Sequence, residues 1–184
     1  MIKVTLEKHF EKLLQDKFIE AGAHVVRLPD DLKVAIAQGK STNALGKRKP
    51  YDFGVCFQGH YYAIECKLVK GLTFYSEQVE KHQWEGLMEA QEAGATPLLA
   101  IYFKSKLIVQ TGKGATKERT ETFIEKWALI NILACGGIDE LRETCFTWKL
   151  GDLKDDPGAI YVDDQFNPKE RGPLSTWLDI IEGS

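Results

Sequence analysis

The 184 residues predict an α/β fold, with a mixed central β-sheet flanked by helices. Three observations lead there. Apolar residues at helical spacing open the chain, and two alternating aromatic and β-branched runs then meet at Gln58-Gly59. A second helical pattern leads directly into a continuous apolar run at 96–103, as expected of a strand covered on both faces. With 43% hydrophobic and 28% charged residues, the chain can bury an ordinary core. A single domain over 1–184 is expected, with its core at about 4–110 and a helical or irregular extension over 111–184.

Val4 to Ala21 reads as the first helix, from Leu6, Phe10, Leu13 and Leu14, and Gly22 suits its end. Glu7, Glu11, Leu14 and Phe18 share one stripe, which places Glu11 at the edge of the apolar face. Glu11 is then either a boundary carboxylate paired with a nearby lysine, or an acid facing a site from a helix packed over Gly54 and Ala63. Ala23 to Leu28 is a short strand stopped by Pro29. Residues 30–50 read as a loop or protrusion, from Gly39, Ser41, Asn43 and Gly46. They end in Lys47, Arg48 and Lys49, which fit either a solvated surface or contact with a phosphate backbone.

Pro50 to Lys67 reads as a hairpin, with Gln58-Gly59 as its two-residue loop. That register sets Phe57 opposite His60, Val55 opposite Tyr62, Phe53 opposite Ile64 and Asp52 opposite Glu65. Phe53, Val55, Tyr62, Ile64 and Leu68 then form a core face, while Asp52, Gly54, Ala63, Glu65 and Lys67 form the other. A one-residue slip would set Asp52 opposite Cys66 instead. Two adjacent carboxylates repel, and they make sense around a divalent cation, which takes hard oxygen ligands. Lys67 beside them could orient a water or offset charge on a phosphate, which is equipment for metal-assisted phosphodiester hydrolysis. Its acidic neighbours favour the ammonium form, so it suits those roles better than that of a free base. The same pattern also occurs as a solvated sheet face with a surface ion pair.

Further along, Gly71 to Ser76 reads as a connector and Glu77 to Ala93 as a helix. Thr96 to Phe103 is a strand, with Lys106 to Gln110 as its hairpin partner. Thr111 to Thr120 reads as a mobile loop available to DNA, and Phe123 to Cys135 as a helix broken by Gly136-Gly137. Ile138 to Cys145 adds a turn and Leu174 to Ile181 a closing helix. Between them Asp152, Asp155, Asp156, Asp163 and Asp164 are too irregularly spaced for a calcium loop and read as solvated.

Pro50-Tyr51-Asp52 followed by Glu65-Cys66-Lys67 resembles the PD-(D/E)xK nuclease signature, which implies a restriction-endonuclease-like core. The preceding helix with its glutamate, the Gly22 turn and the Val25-Val26-Arg27 strand sharpen this. Roughly residues 4–103 look like the Holliday-junction resolvases, archaeal and RecU-type alike. In that pattern the helix acid stands sixteen residues before the strand arginine, which assigns the role to Glu11 rather than Glu7. RecU-type proteins carry a pair similar to His82-Gln83, which implies that Gln83 positions water or phosphate, with Gln78 as its competitor. The resemblance implies a catalytic set of Glu11, Asp52, Glu65, Lys67 and Gln83, with Mg²⁺ or Mn²⁺ held by Asp52, Glu65 and Glu11. It implies a projecting segment at 30–50, with Lys47, Arg48 and Lys49 on DNA, and a homodimer making paired nicks in four-way junctions. Another nuclease on this fold (restriction, repair or phage DNA processing) and a non-catalytic DNA-binding module are the alternatives.

The net charge of −3 and pI near 5.9 count against a protein that coats DNA non-specifically. They leave room for a nuclease whose positive charge is local, because acidic metal ligands themselves lower the pI. The amino-terminal residues lack an apolar signal region, no run approaches membrane-spanning length, and the four cysteines show no CxxC pairing. These features predict free thiols in the cytoplasm of a bacterium, or of a host if a phage encodes the chain.

Overall fold

The Thr5 hydroxyl accepts the Lys8 N–H at 3.4 Å and so starts the first helix, α1 (Leu6–Glu20). The structure, a computed structural model, describes residues 5–28, 49–111, 118–138, 147–154 and 159–162. After α1 come β1 (His24–Arg27), β2 (Phe53–Phe57), β3 (His60–Lys70) and β4 (Thr73–Tyr75). Helix α2 (Lys81–Glu92) leads to β5 (Thr96–Thr111) and β6 (Glu118–Asn131), then to β7 (Thr147–Lys149) and β8 (Ala159–Val162). A six-stranded sheet runs β1-β2-β3-β5-β6-β8, and β4 pairs with β7 apart from it. The β3–β5 pair is parallel, with α2 in its crossover, while the other pairs of that sheet are antiparallel. This is the α/β class with a mixed central sheet that the sequence predicts.

The β2–β3 hairpin has the expected register: Phe53 pairs with Ile64, Val55 with Tyr62 and Phe57 with His60. Gln58 and Gly59 both take positive φ, 48° and 89°, the pattern of a type I′ turn, whose twist matches the strands it joins. Alternation along the strands then builds two cores. On one face Phe53, Val55, Tyr62, Ile64, Leu98 and Leu129 receive Phe10, Leu14 and Phe18 of α1. On the other Ala63, Leu99, Ile101, Ala128 and Ile130 receive Trp84 and Leu87 of α2. Each large apolar side chain so buried contributes about 1.5–3 kcal/mol.

Several expectations are corrected. Helix α1 does not pack over Gly54 and Ala63; it covers the opposite face, where the larger apolar side chains offer more surface. The room at Gly54 is taken by Tyr61, whose ring carbon Cζ would lie 2.8 Å from an added Cβ. The second helix starts at Lys81 rather than Glu77, because Val79 is extended after a 3₁₀ turn at Ser76–Gln78. Residues 96–111 form one continuous strand, so Lys106 to Gln110 is not a separate partner. The partner is β6, which replaces the helix expected from Phe123; only Leu133–Cys135 forms a turn of 3₁₀ helix. Trp127 and Leu129 face one core while Ala128 and Ile130 face the other, so the run is apolar because it is covered twice. The connector at 71–76 contains β4, and Asp152 starts a 3₁₀ turn. The loop expected at Thr111 to Thr120 gives way at its ends to β5 and β6. Residues 112–117, Asp155, Asp156, Asp163, Asp164 and the closing helix expected at 174–181 lie outside the described residues.

Candidate active site

Strand β3 outruns β2. Pairing ends at Phe53 and Ile64, so Glu65, Cys66 and Lys67 continue without an antiparallel neighbour. Asp52 fills the gap: its N–H donates to the Ile64 carbonyl (3.0 Å), and its Oδ2 accepts the Cys66 N–H (2.8 Å). An otherwise orphaned backbone donor thus fixes the carboxylate beside Glu65. The Cys66 side chain turns into the α1 core, so Glu65 and Lys67 share the other face.

Gln83 enters from the first turn of α2. Its Oε1 accepts the Glu80 N–H at 2.9 Å and the Lys67 ammonium at 2.6 Å, while its Nε2 donates to Glu65 Oε1. Lys67 Nζ also lies 3.0 Å from Glu65 Oε1. One amide therefore fixes both Glu65 and Lys67 of β3 against the α2 N-terminus. Gln78 accepts the Tyr75 N–H instead and is exposed. Glu11 reaches the same cavity from α1, ion-paired to Arg27. The cavity, of about 590 Å³, is lined by Glu11, Asp52, Glu65, Lys67 and Gln83 among others. All five predicted catalytic side chains meet there.

Lys49 is the surprise. It lies in the cavity with its ammonium paired to Asp52 Oδ1, whereas the sequence suggests a backbone-contacting surface residue. Lys47 and Arg48 lie outside the described residues. Each acid thus carries one basic partner: Glu11 with Arg27, Asp52 with Lys49, and Glu65 with Lys67. The Asp52–Lys49 pair is not evident from the sequence, because Lys49 stands in a basic run.

The electrostatics are those of crowded, buried acids. Asp52 is 4% exposed and Glu65 1%, which excludes a solvated sheet face with a surface ion pair. Burial, then the Asp52 charge, push the Glu65 carboxyl up to about 8, against the opposing pull of Lys67 and Lys49. Glu65 Oε2 is buried without a hydrogen-bond partner. Glu11 is likewise raised, by burial and then by Asp52, with Arg27 and Lys49 opposing. Among the described residues no group of three His, Cys, Asp or Glu side chains is placed to hold a metal ion, and Glu11, Asp52 and Glu65 are each ion-paired to a base. The donor chemistry still fits a hard divalent cation: a buried, unpartnered carboxylate oxygen stands beside a second carboxylate that repels it.

The site also depends on Gly86. A Cβ there would lie 2.6 Å from Pro50 Cα and 2.8 Å from its carbonyl oxygen, so α2 presses on the backbone two residues before Asp52. Gly86→Ala is expected to cost about 1–3 kcal/mol, as overpacking does, and to displace Asp52. Thermal unfolding checks the first effect, and loss of activity beyond the loss of folded protein checks the second.

No family model matches the chain, and no curated protein matches it. Among solved structures it is similar to Hjc, a Holliday junction resolvase of the archaeal hyperthermophile Archaeoglobus fulgidus. The identity is 18% and the TM-score 0.44, over 94% of this chain and 98% of that one. Among the described residues, no helix is long and apolar enough to cross a membrane.

Proposed function

We propose that the chain is a divalent-metal-dependent DNA endonuclease of the PD-(D/E)xK type, and that it resolves four-way junctions by paired nicks. The observation that carries the reading is the convergence of Asp52, Glu65, Lys67 and Gln83 in one cavity, with Glu65 Oε2 buried and unpartnered. Asp52 and Glu65, with Glu11, would hold Mg²⁺ or Mn²⁺. When bound, the ion would supply a more acidic water and stabilise charge on the phosphate.

The other steps belong to the protein. Lys67, fixed between Glu65 Oε1 and Gln83 Oε1, presents its ammonium to a phosphate oxygen or to the attacking water. Gln83 keeps Lys67 and Glu65 in one orientation, which limits the reorganisation needed when substrate arrives. Asp52, tied to the Cys66 N–H, keeps its carboxylate at the end of β2. Lys47 and Arg48, adjoining Lys49 in the sequence, are assigned to the phosphate backbone. A four-way junction has two-fold symmetry, and paired nicks need two sites, so the active form is a homodimer.

Cleavage of a synthetic four-way junction, beside linear duplex and single strand, tests this with Mg²⁺, Mn²⁺ or chelator. Paired symmetric nicks in the junction alone, lost with chelator, are expected. Cleavage of all three substrates would make the protein a general nuclease. No cleavage with either metal would leave a DNA-binding module.

A further inference from the structure

The three ion pairs of the cavity are not equivalent. Lys67 is held twice, by Glu65 and by Gln83, and its stem rises from the middle of β3. Arg27 is 42% exposed and pairs with Glu11 from the rim. Lys49 stands outside any helix or strand, directly before the Pro50 that abuts Gly86. Its ammonium lies on Asp52 Oδ1, and its charge acts on all three acids. Burial works against that charge, but the Asp52 hydrogen bond and then the charges of Asp52, Glu11 and Glu65 raise its pKa above the ordinary lysine value.

We propose that Lys49 is the site's internal counter-ion, whose ammonium stands in for a divalent cation against Asp52 and must leave Asp52 when the cation binds. The proposal rests on the metal-dependent reading above. Charge balance supports it. Once Glu65 has released its proton to the entering ion, the three carboxylates and three basic groups of these pairs are formally neutral, so a divalent ion added to the closed set would leave two uncompensated positive charges. Release of one lysine on a flexible four-carbon stem halves that excess. Asp52 Oδ1 is freed by the same movement. Of the two bases that pair with Asp52 and Glu65, Lys49 is the one outside the Gln83 network, which holds Lys67. Lys49 is therefore a positioning residue that sets the concentration of cation at which the site fills.

Calorimetric titration of the full chain with Mn²⁺ tests this, without DNA, for the wild type, Lys49→Gln, Lys49→Arg and Asp52→Asn. Lys49→Gln is expected to bind Mn²⁺ roughly tenfold or more tightly than the wild type, because a competing unit charge within contact distance is removed. Lys49→Arg, which keeps the charge, should remain near the wild type. Thermal unfolding gives a second readout that a DNA-contacting lysine would not move: Lys49→Gln should be less stable in chelator and gain more from Mn²⁺. Equal or weaker Mn²⁺ binding by Lys49→Gln overturns the counter-ion role while leaving the metal site standing. No Mn²⁺ binding by any of the folded proteins overturns both. Unchanged binding in Asp52→Asn would place the ion elsewhere and overturn the proposal as well.

Discussion

Asp52→Asn is expected to lower metal-dependent junction cleavage by about 10²–10³-fold or more, the loss typical when a charge-stabilising group is removed from an active site. The substitution keeps the shape and an oxygen able to accept the Cys66 N–H, so the end of β2 should stay in place. It removes the charge that pairs with Lys49 and also the charge that raises Glu65. Lys49, partly exposed, can turn outward, so the folded state should survive. Rate measurements on a four-way junction with Mg²⁺, together with a thermal melt of the same preparation, separate the outcomes. Lost cleavage in a folded protein is the expected result. Unchanged cleavage would return Asp52 to a structural role at the Cys66 N–H.

The second large effect is on stability. Glu65 holds its proton in the folded chain up to about 8, whereas the unfolded chain releases it near the ordinary value of 4.5. Between these values the folded state binds more protons, so metal-free stability falls as pH rises. The slope from this one group reaches up to about 1.4 kcal/mol per pH unit. Glu11, also raised, acts in the same direction. Thermal midpoints in chelator should therefore drop from pH 5 to pH 8. Glu65→Gln should flatten the curve, because the amide cannot ionise. A wild-type midpoint that does not fall over this range, or a Glu65→Gln protein with the wild-type slope, would contradict a buried Glu65 that keeps its proton.

Much of this site was legible from residue order because its core is a local object. The β2–β3 hairpin has a period of two, and its Gln58-Gly59 turn leaves little freedom in register, so Asp52 and Glu65 could be placed together. The helix stripe alone leaves Glu11 open between a boundary carboxylate and a site acid; the resemblance to resolvases selects it, and the structure pairs it with Arg27. What could not be read was set by distant packing. The residues Trp127 to Ile130 are apolar at every position, which fits a buried helix or a doubly covered strand equally well. Fourteen-residue pairing with β5 decides for the strand. Gly54 and Ala63 advertised space, but their neighbours Tyr61 and the α2 core take that space, and α1 went to the bulkier face. Lys49 was hidden by its company: a lysine in a basic run looks like surface until its Asp52 partner is seen.

The central proposal is that Asp52 and Glu65 together hold a divalent cation. A crystal of the full chain soaked in Mn²⁺, with an anomalous difference map, tests it most directly. A peak beside the Asp52 and Glu65 carboxylates is expected, with Lys49 withdrawn from Asp52 and no peak in Asp52→Asn. A map without density at those carboxylates, or a peak elsewhere that Asp52→Asn leaves unchanged, would contradict it.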